Sequence, residues 1–400
     1  MHQNANHNIK PKLLVSLSSH GFGHLAQVAP VIAATQRLID QGLAPAFDLT
    51  VRTTLAHSQL KSRIVRSFQY DKGCDDIGML MHDALTVDLN RSLLAYATLH
   101  RQWQRCIDNL AQHLYAHHYS GVLTNTPYLT LAAAHAAGIP AMAICSLNWA
   151  DILEGCVRQD KESLAHANIS KPEFSAMLQQ IRDAYGLATT VVRPAPFMGQ
   201  PARQPLDIEP IAPPPQLSNR AALIDQIAIK LPNPWVVLVS MGGMALELQP
   251  SQWPTSLLGR SVIYLTHAGL AQVDKPAKQL PHVMSYESLG MRFTEIMASC
   301  DLVLTKPGYG MFVETRTHGK PMLYVARDQW PETDYLVQWA NTNTHASQLT
   351  PTQLATGQFV AEMTDVLTAP AMTPVNFSGA DVAARTWMNT MFGYGQGSQG

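Results

Sequence analysis

Ser18-Ser19-His20-Gly21-Phe22-Gly23-His24 lies between two segments of different periodicity, and that setting constrains the fold more than any other stretch of the chain. Before it, Leu13 to Leu17 is a continuous apolar run that reads as a buried strand. After it, Leu25 to about Gln41 has a helical pattern closed by Gly42. A strand, a glycine turn and a helix in that order build a pocket at the carboxyl end of a parallel strand. The glycines let backbone approach a ligand closely, and the free N–H groups of a helix start favour negative charge. Two histidines in such a turn add groups that move protons near neutral pH. Together these features point to a site for an anionic substrate.

The rest of the first half repeats the alternation. Strands are expected at Lys12 to Ser18, Phe47 to Arg52, Ser62 to Phe68, Gly121 to Thr124 and Ala141 to Ile144. Leu89 to about His118 reads as one long helix, and Pro127 to Ala137 as a shorter one. Pro30 falls inside the first helix, which must kink there or start late. Proline is dense from Pro194 to Gln216, and this stretch reads as a semi-rigid linker at the domain boundary.

Beyond the linker the plan restarts. Trp235 to Ser240 is a strand followed by Met241-Gly242-Gly243, and Ser261 to Thr266 is another strand. Phe293 to Ser299 is a short helix. Asp301 to Thr305 is a strand that enters Lys306-Pro307-Gly308-Tyr309-Gly310 and a helix to about His318. Met322 to Val325 is a further strand, and Ala380 to Met391 the last helix. The expected class is α/β, with two similar domains whose parallel sheets face one another across a cleft. The boundaries read as 1–200 for the first domain, 201–217 for the linker, 218–370 for the second domain, and 371–400 for a C-terminal helix and a low-complexity tail.

Composition narrows the class of partner. The 400 residues carry 28 basic and 29 acidic side chains, and only 14% are charged against 46% hydrophobic. That balance lacks the basic footprint of a nucleic-acid binder. No apolar stretch is long enough to span a bilayer, and the N-terminus has no signal core, so a soluble cytoplasmic protein is expected. The five cysteines, at 74, 106, 145, 156 and 300, form no close pair of the zinc or redox kind.

Five constellations carry chemistry. His20 and His24 are separated by glycines and have no third ligand in sequence reach, so proton transfer or substrate orientation suits them better than metal binding. His24, at the helix start, is the stronger candidate; a turn-capping histidine is the plainer alternative. Lys306, Gly308 and Gly310 open a helix N-terminus to a phosphate, and Glu314 lies one turn further in, where a carboxylate can accept from a ribose diol. Its alternative is an ordinary strand-to-helix turn. Gly242 and Gly243 form a second glycine turn suited to a diphosphate. Arg327-Asp328-Gln329 follows a strand and can read sugar hydroxyls, with Trp330 more simply a core residue. Ser146 to Asp151 follows a strand too, with Asn148 and Trp149 either touching substrate or capping and packing.

In order and spacing these motifs resemble the GT-B glycosyltransferases. Gly21-Phe22-Gly23-His24 is similar to the opening turn of the branch that holds the N-acetylglucosaminyltransferase of lipid II synthesis and the galactolipid synthases. His20 to His24 also resembles the glycosyltransferase-like region of plant arabinokinases. The likeness covers roughly Lys12 to Asn343. It implies a GT-B fold of two Rossmann-like domains, with a nucleotide-sugar, a UDP-sugar by family habit, as co-substrate and no metal or other cofactor. It implies that His24, then His20, acts as base. Gly242, Gly243, Lys306, Gly308, Tyr309, Gly310, Glu314, Asp328 and Gln329 would bind the donor. Gly21, Phe22, Gly23, Asn125, Asn148 and Trp149 would face an acceptor, whether small molecule, glycan or lipid-linked. Two positions depart from the pattern: Gln27 replaces an arginine of many arabinokinase-type relatives, and Asn125 replaces an aspartate. The same resemblance leaves open a nucleotide-sugar hydrolase or epimerase, or a non-catalytic nucleotide-sugar sensor. No Gly-x-x-x-x-Gly-Lys-[Ser/Thr] phosphate loop is present.

Overall fold

The computed structural model describes residues 10–73, 75–199, 204–227, 232–242, 248–268 and 280–393. The first sheet contains β1 (Lys12–Leu17), β2 (Asp48–Thr53), β3 (Gln69–Lys72), β4 (Tyr119–Asn125), β5 (Ala141–Ile144), β6 (Thr190–Pro194) and β7 (Leu206–Ile208). Its order is β3-β2-β1-β4-β5-β6-β7, and every pairing is parallel. Leu13, Leu14 and Val15 are fully buried because helices cover both faces of such a sheet. Alternate residues of a strand serve opposite faces. Accordingly Leu14, Val122 and Ala143 join one apolar cluster, while Leu13, Val15, Leu123 and Ile144 join another.

The second sheet contains β8 (Trp235–Ser240), β9 (Ser256–Leu257), β10 (Arg260–Thr266), β11 (Val283–Ser285), β12 (Leu302–Thr305), β13 (Met322–Val325) and β14 (Ala346–Leu349). The parallel order is β11-β10-β8-β12-β13-β14, with β9 antiparallel to β10. Val236, Leu238 and Val303 face one cluster, and Val237, Val239 and Leu304 the other.

Topology places the site. In the first sheet the chain builds outward from β1 to β3, then returns to add β4 on the opposite side of β1. The reversal opens a crevice above the carboxyl ends of β1 and β4, where connections diverge. Leu17 is in register with Asn125, so the His20–His24 turn and Asn125 leave the sheet side by side. The second sheet reverses in the same way between β8 and β12, with Ser240 opposite Thr305. Gly242 and Lys306 therefore leave that sheet together.

Some elements differ from the sequence reading. The helix Gly23–Asp40 starts at Gly23 and runs through Pro30, so it does not start late. Ser62 to Phe68 is not a strand: the helix His57–Arg63 ends there, and the strand is the polar edge β3. The expected long helix is two, Leu89–Arg101 and Trp103–Ala116, broken at Gln102. The helices Trp149–Gln159 and Lys171–Gly186 are additional to the elements expected from the sequence. β7 lies within the stretch expected as linker but closes the edge of the first sheet. The helix Gly379–Phe392 packs on Gly23–Asp40, with Trp387 fully buried against Phe47, so the chain end returns to the first domain. Cys106, Cys145, Cys156 and Cys300 are unpaired, and Cys74 lies outside the described residues. Among the described residues no helix is long and apolar enough to cross a membrane.

Candidate active site

His24 occupies the first turn of the helix that follows β1, and its side chain is buried. Its Nδ1 is 2.6 Å from Asn125 Oδ1, at the end of β4. Asn125 Nδ2 donates to Gln27 Oε1 at 2.8 Å, and Gln27 Nε2 donates to Ser146 Oγ at 2.8 Å. Gln27 reaches the site because it lies one turn beyond His24 on the same helix face. Burial pulls the His24 imidazole down to about 4, so the ring is neutral at pH 7 with a lone pair available.

His20 stands beside it. Its ring stacks on Trp330 with centroids 5.1 Å apart and meets Trp149 edge-on at 5.4 Å. Met79 N–H donates to His20 Nδ1 at 3.4 Å. Burial holds the His20 imidazole well below its ordinary range, and His24, Arg327 and Lys306 push in the same direction. Behind both rings Trp149 donates its Nε1–H to Asp76 at 2.7 Å. Burial raises the Asp76 carboxyl to about 6, against the pull of bonds from Trp149, Ser18 and Thr126. Thr126 has φ 74°, a left-handed backbone that a β-branched residue rarely adopts. The Tyr185 hydroxyl holds it there by donating to Thr126 O at 2.8 Å. Such strain concentrates at functional sites.

The second domain presents cations and a helix start. The helix Tyr309–Thr317 begins after Gly308 with no side chain capping its N-terminal N–H groups. Gly310 comes so close to the first domain that an added Cβ would lie 2.8 Å from Ala26 Cβ. Gly242 has φ +78° and faces Lys306, whose Nζ would be 3.8 Å from a Cβ there. Burial and the neighbouring Arg327 bring the Lys306 amine down to about 7, opposed by Glu332. Arg327 is buried over the Trp330 ring at 4.4 Å, and its Nε has no hydrogen-bond partner. Glu332 accepts from Trp330 Nε1 at 3.1 Å and from Ser146 Oγ at 3.4 Å. Burial raises its carboxyl above the ordinary range. Two facing sites thus share one cleft: a neutral imidazole on one wall, and a helix N-terminus with lysine and arginine on the other. Among the described residues no group of three or more His, Cys, Asp or Glu is placed to hold a metal ion.

Comparison with known proteins agrees with this architecture. The glycosyltransferase of kitacinnamycin superposes with TM-score 0.55 at 16% identity, covering 96% of this chain and 97% of its own. CalG4, the calicheamicin glycosyltransferase, gives 0.54 at 13%, covering 97% and 96%. VinC, a glycosyltransferase solved with dTDP, gives 0.53 at 14%, covering 96% of both chains. The chain has the GT-B fold of glycosyltransferases. In sequence it is 22% identical over 384 residues to an L-arabinokinase of Arabidopsis thaliana, covering 94% of this chain. The chain spans 34% of that protein, about a third of its length. No protein-family profile matches.

Within the GT-B frame the expected residues fall into three groups. His20, His24 and Asn125 converge on the first-domain wall, with Gly21, Phe22 and Gly23 forming the turn above them. Gly242, Lys306, Gly308 and Gly310 converge on the opposite wall, and Gly243 lies outside the described residues. The rest are committed elsewhere. Tyr309 is not free to meet a donor: its buried hydroxyl donates to Ala195 O at 3.0 Å and accepts from Ile211 N at 2.9 Å, tying the helix start to the chain between the domains. Asn148 caps the helix Trp149–Gln159 by accepting from Asp151 N at 2.9 Å. Trp149 is fully buried and backs the histidines, so it offers no open face to an acceptor. One Glu314 oxygen bonds Arg63 at 2.8 Å. Asp328 and Gln329 have exposed side chains, and their carbonyls bond Gln159 and Cys156. The buried polar groups of that loop are Arg327 and Glu332.

Asp76 and Glu332 are the polar site residues to which the sequence assigns no role. Ser146 and Arg327 lay within constellations already singled out after strands. Asp76 and Glu332 carried no local signal beyond their charge.

Proposed function

We propose that this protein is a glycosyltransferase that moves a hexosyl group from a nucleotide-sugar, of the UDP class, to an acceptor hydroxyl with inversion. The supporting observation is His24: a neutral, buried imidazole bonded through Nδ1 to Asn125, across the cleft from an uncapped helix N-terminus and Lys306. In this reading His24 Nε2 takes the acceptor's hydroxyl proton as that oxygen attacks the anomeric carbon. The bond from that carbon to the diphosphate oxygen breaks, and its electron pair leaves with the diphosphate. Helix N–H groups and Lys306 stabilise the departing charge. A single displacement from the opposite face inverts the anomeric centre. The N-terminal domain holds the acceptor, whose hydroxyl belongs in this reading to a small molecule, a glycan or a lipid-linked compound. An amide partner orients the imidazole without the charge that a carboxylate would lend its protonated form.

The test is a panel of UDP-sugars with hydroxyl acceptors. One of the similar structures holds dTDP, so dTDP-sugars belong in the panel. Transfer is expected with one donor and one acceptor class, and His24→Ala should reduce it by about 10²- to 10⁴-fold. Release of free sugar at a turnover rate in the absence of acceptor would replace transfer with hydrolysis. Full activity in His24→Ala would remove the base.

A further inference from the structure

The polar chain through His24 does not stop at the domain boundary. It runs His24, Asn125, Gln27, Ser146, Glu332, with separations of 2.6, 2.8, 2.8 and 3.4 Å. The first four residues belong to the first domain, and Glu332 arrives from the loop after β13 in the second. All five side chains are buried, so water does not compete for these bonds.

The direction of such a chain is set at one end. An amide presents either a donor or an acceptor according to how it is turned, and a hydroxyl rotates to suit. Asn125, Gln27 and Ser146 therefore transmit a direction without choosing one. A carboxylate is different, because when ionised it only accepts. The Ser146 hydroxyl must then donate to Glu332, and its oxygen accepts from Gln27 Nε2. Gln27 Oε1 accepts from Asn125 Nδ2, which leaves Asn125 Oδ1 to accept from His24. His24 must carry its proton on Nδ1, and Nε2 keeps the lone pair.

We propose that Glu332 is a positioning residue that fixes the His24 tautomer through Ser146, Gln27 and Asn125, so that the base is set only when the second domain is docked on the first. The role of His24 as base rests on the reading above; the tautomer itself does not. Burial raises the Glu332 carboxyl, and the Trp330 N–H together with Arg327 and Lys306 on the donor wall works against that rise and favours the ionised form. The same carboxylate thus senses the donor-side cations and orients the acceptor-side base. His20 shows the contrast. Its Nδ1 accepts from the Met79 backbone N–H, so a neutral His20 carries its proton on Nε2 independently of Glu332.

Nitrogen-15 NMR of the imidazole rings reads this directly on the whole 400-residue chain, with no substrate. The wild type should show a protonated-type shift at His24 Nδ1 and an unprotonated-type shift at Nε2 at pH 7. Glu332→Gln can donate to Ser146 and let the whole chain reverse, so His24 should lose its exclusive Nδ1–H form while His20 is unchanged. Ser146→Ala cuts the chain and should do the same, which covers a Glu332→Gln protein that fails to fold. Adding Asn125→Asp to Glu332→Gln places a carboxylate directly on His24 and should restore the Nδ1–H form. An Nε2–H form in the wild type overturns the proposal. So does an unchanged tautomer in both single variants, or failure of Asn125→Asp to restore it. Because none of these readouts needs turnover, loss of the glycosyltransferase reading would be seen separately, in the donor and acceptor panel.

Discussion

Arg63 donates through Nη1 to Glu314 Oε1 at 2.8 Å, and the two residues belong to different domains. Arg63 ends the helix His57–Arg63 beside the first sheet, while Glu314 lies inside the helix that starts at Tyr309. Glu314 is almost wholly buried, and its Oε2 has no hydrogen-bond partner. One oxygen thus holds the domains together while the other is left for a further donor. A ribose diol would suit that second oxygen without breaking the ion pair. The carboxylate expected from the sequence to read ribose therefore also acts as a clasp between the domains.

Removing Arg63 tests the clasp. Arg63→Ala leaves a buried carboxylate unpaired and should cost about 1–3 kcal/mol in chemical denaturation. Glu314→Gln removes the charge, so the double variant should lose less than the two single losses added together. Arg63 is partly exposed to solvent, which keeps the coupling at the lower end of that range. Strict additivity in the cycle would show that the pair does no work.

In the proposed reading Lys306 meets the donor diphosphate, and that contact should make donor affinity pH-dependent. Its amine sits at about 7 because burial and Arg327 both disfavour the cation. In that reading the diphosphate pairs with the cation, so binding should take up a proton above pH 7. Affinity should fall by up to about tenfold per pH unit as pH rises from 7 to 9, by linkage. Calorimetric titration with UDP-glucose measures this, since its diphosphate diester does not titrate in the window. Lys306→Arg keeps its charge throughout. It should bind with a flat pH profile, and an equally flat profile in the wild type would place Lys306 away from the donor.

Much of this arrangement was legible in the sequence where the signal is local. The turns His20 to His24 and Lys306 to Gly310 announce themselves because strand, glycine and helix start are adjacent in the chain. Long-range partners leave no such mark. Gln27 and Ser146 are 119 residues apart, and only the return of the chain to β4 and then β5 brings them together. The two departures from the family pattern, Gln27 and Asn125, prove to be bonded to each other at 2.8 Å. The apolar stretch at Ile64-Val65 misled the strand reading. Ile64 is buried but Val65 is 83% exposed, and the true edge strand, β3, offers only Tyr70 to the apolar cluster among three polar residues. Edge strands of this kind lack the alternation that a half-buried strand shows.

Two buried groups titrate with opposite sign in the acid range. His24 is lowered from 6.5 to about 4, so the unfolded chain takes its proton first and stability falls as pH drops from 6.5 to 4. Asp76 is raised from 3.8 to about 6, so the folded chain takes its proton first and stability is gained as pH drops from 6 to 3.8. Each contributes a slope of at most about 1.4 kcal/mol per pH unit, and they offset one another between pH 4 and 6. Asp76→Asn removes one side of that balance. Urea midpoints should then fall more steeply with acid than in the wild type; a shallower fall would contradict the Asp76 assignment.

Closure of the cleft depends on the absence of one side-chain carbon. An alanine at Gly310 would put its Cβ 2.8 Å from Ala26 Cβ, and both atoms sit on helix backbones with no flexible side chain to give way. Gly310→Ala should cost about 1–3 kcal/mol of overpacking or force the domains apart. Small-angle scattering would register the second outcome as a larger radius of gyration, with nucleotide-sugar affinity falling alongside. Ala26→Gly removes the opposing carbon and should restore the compact form in the double variant, less the helix penalty of about 0.5–1 kcal/mol for the new glycine. The rescue separates contact across the cleft from a local effect on the helix at Gly310, because Ala26 lies on the other domain. A Gly310→Ala protein that remains compact and binds donor as tightly as the wild type would mean that the helix starts do not meet in solution.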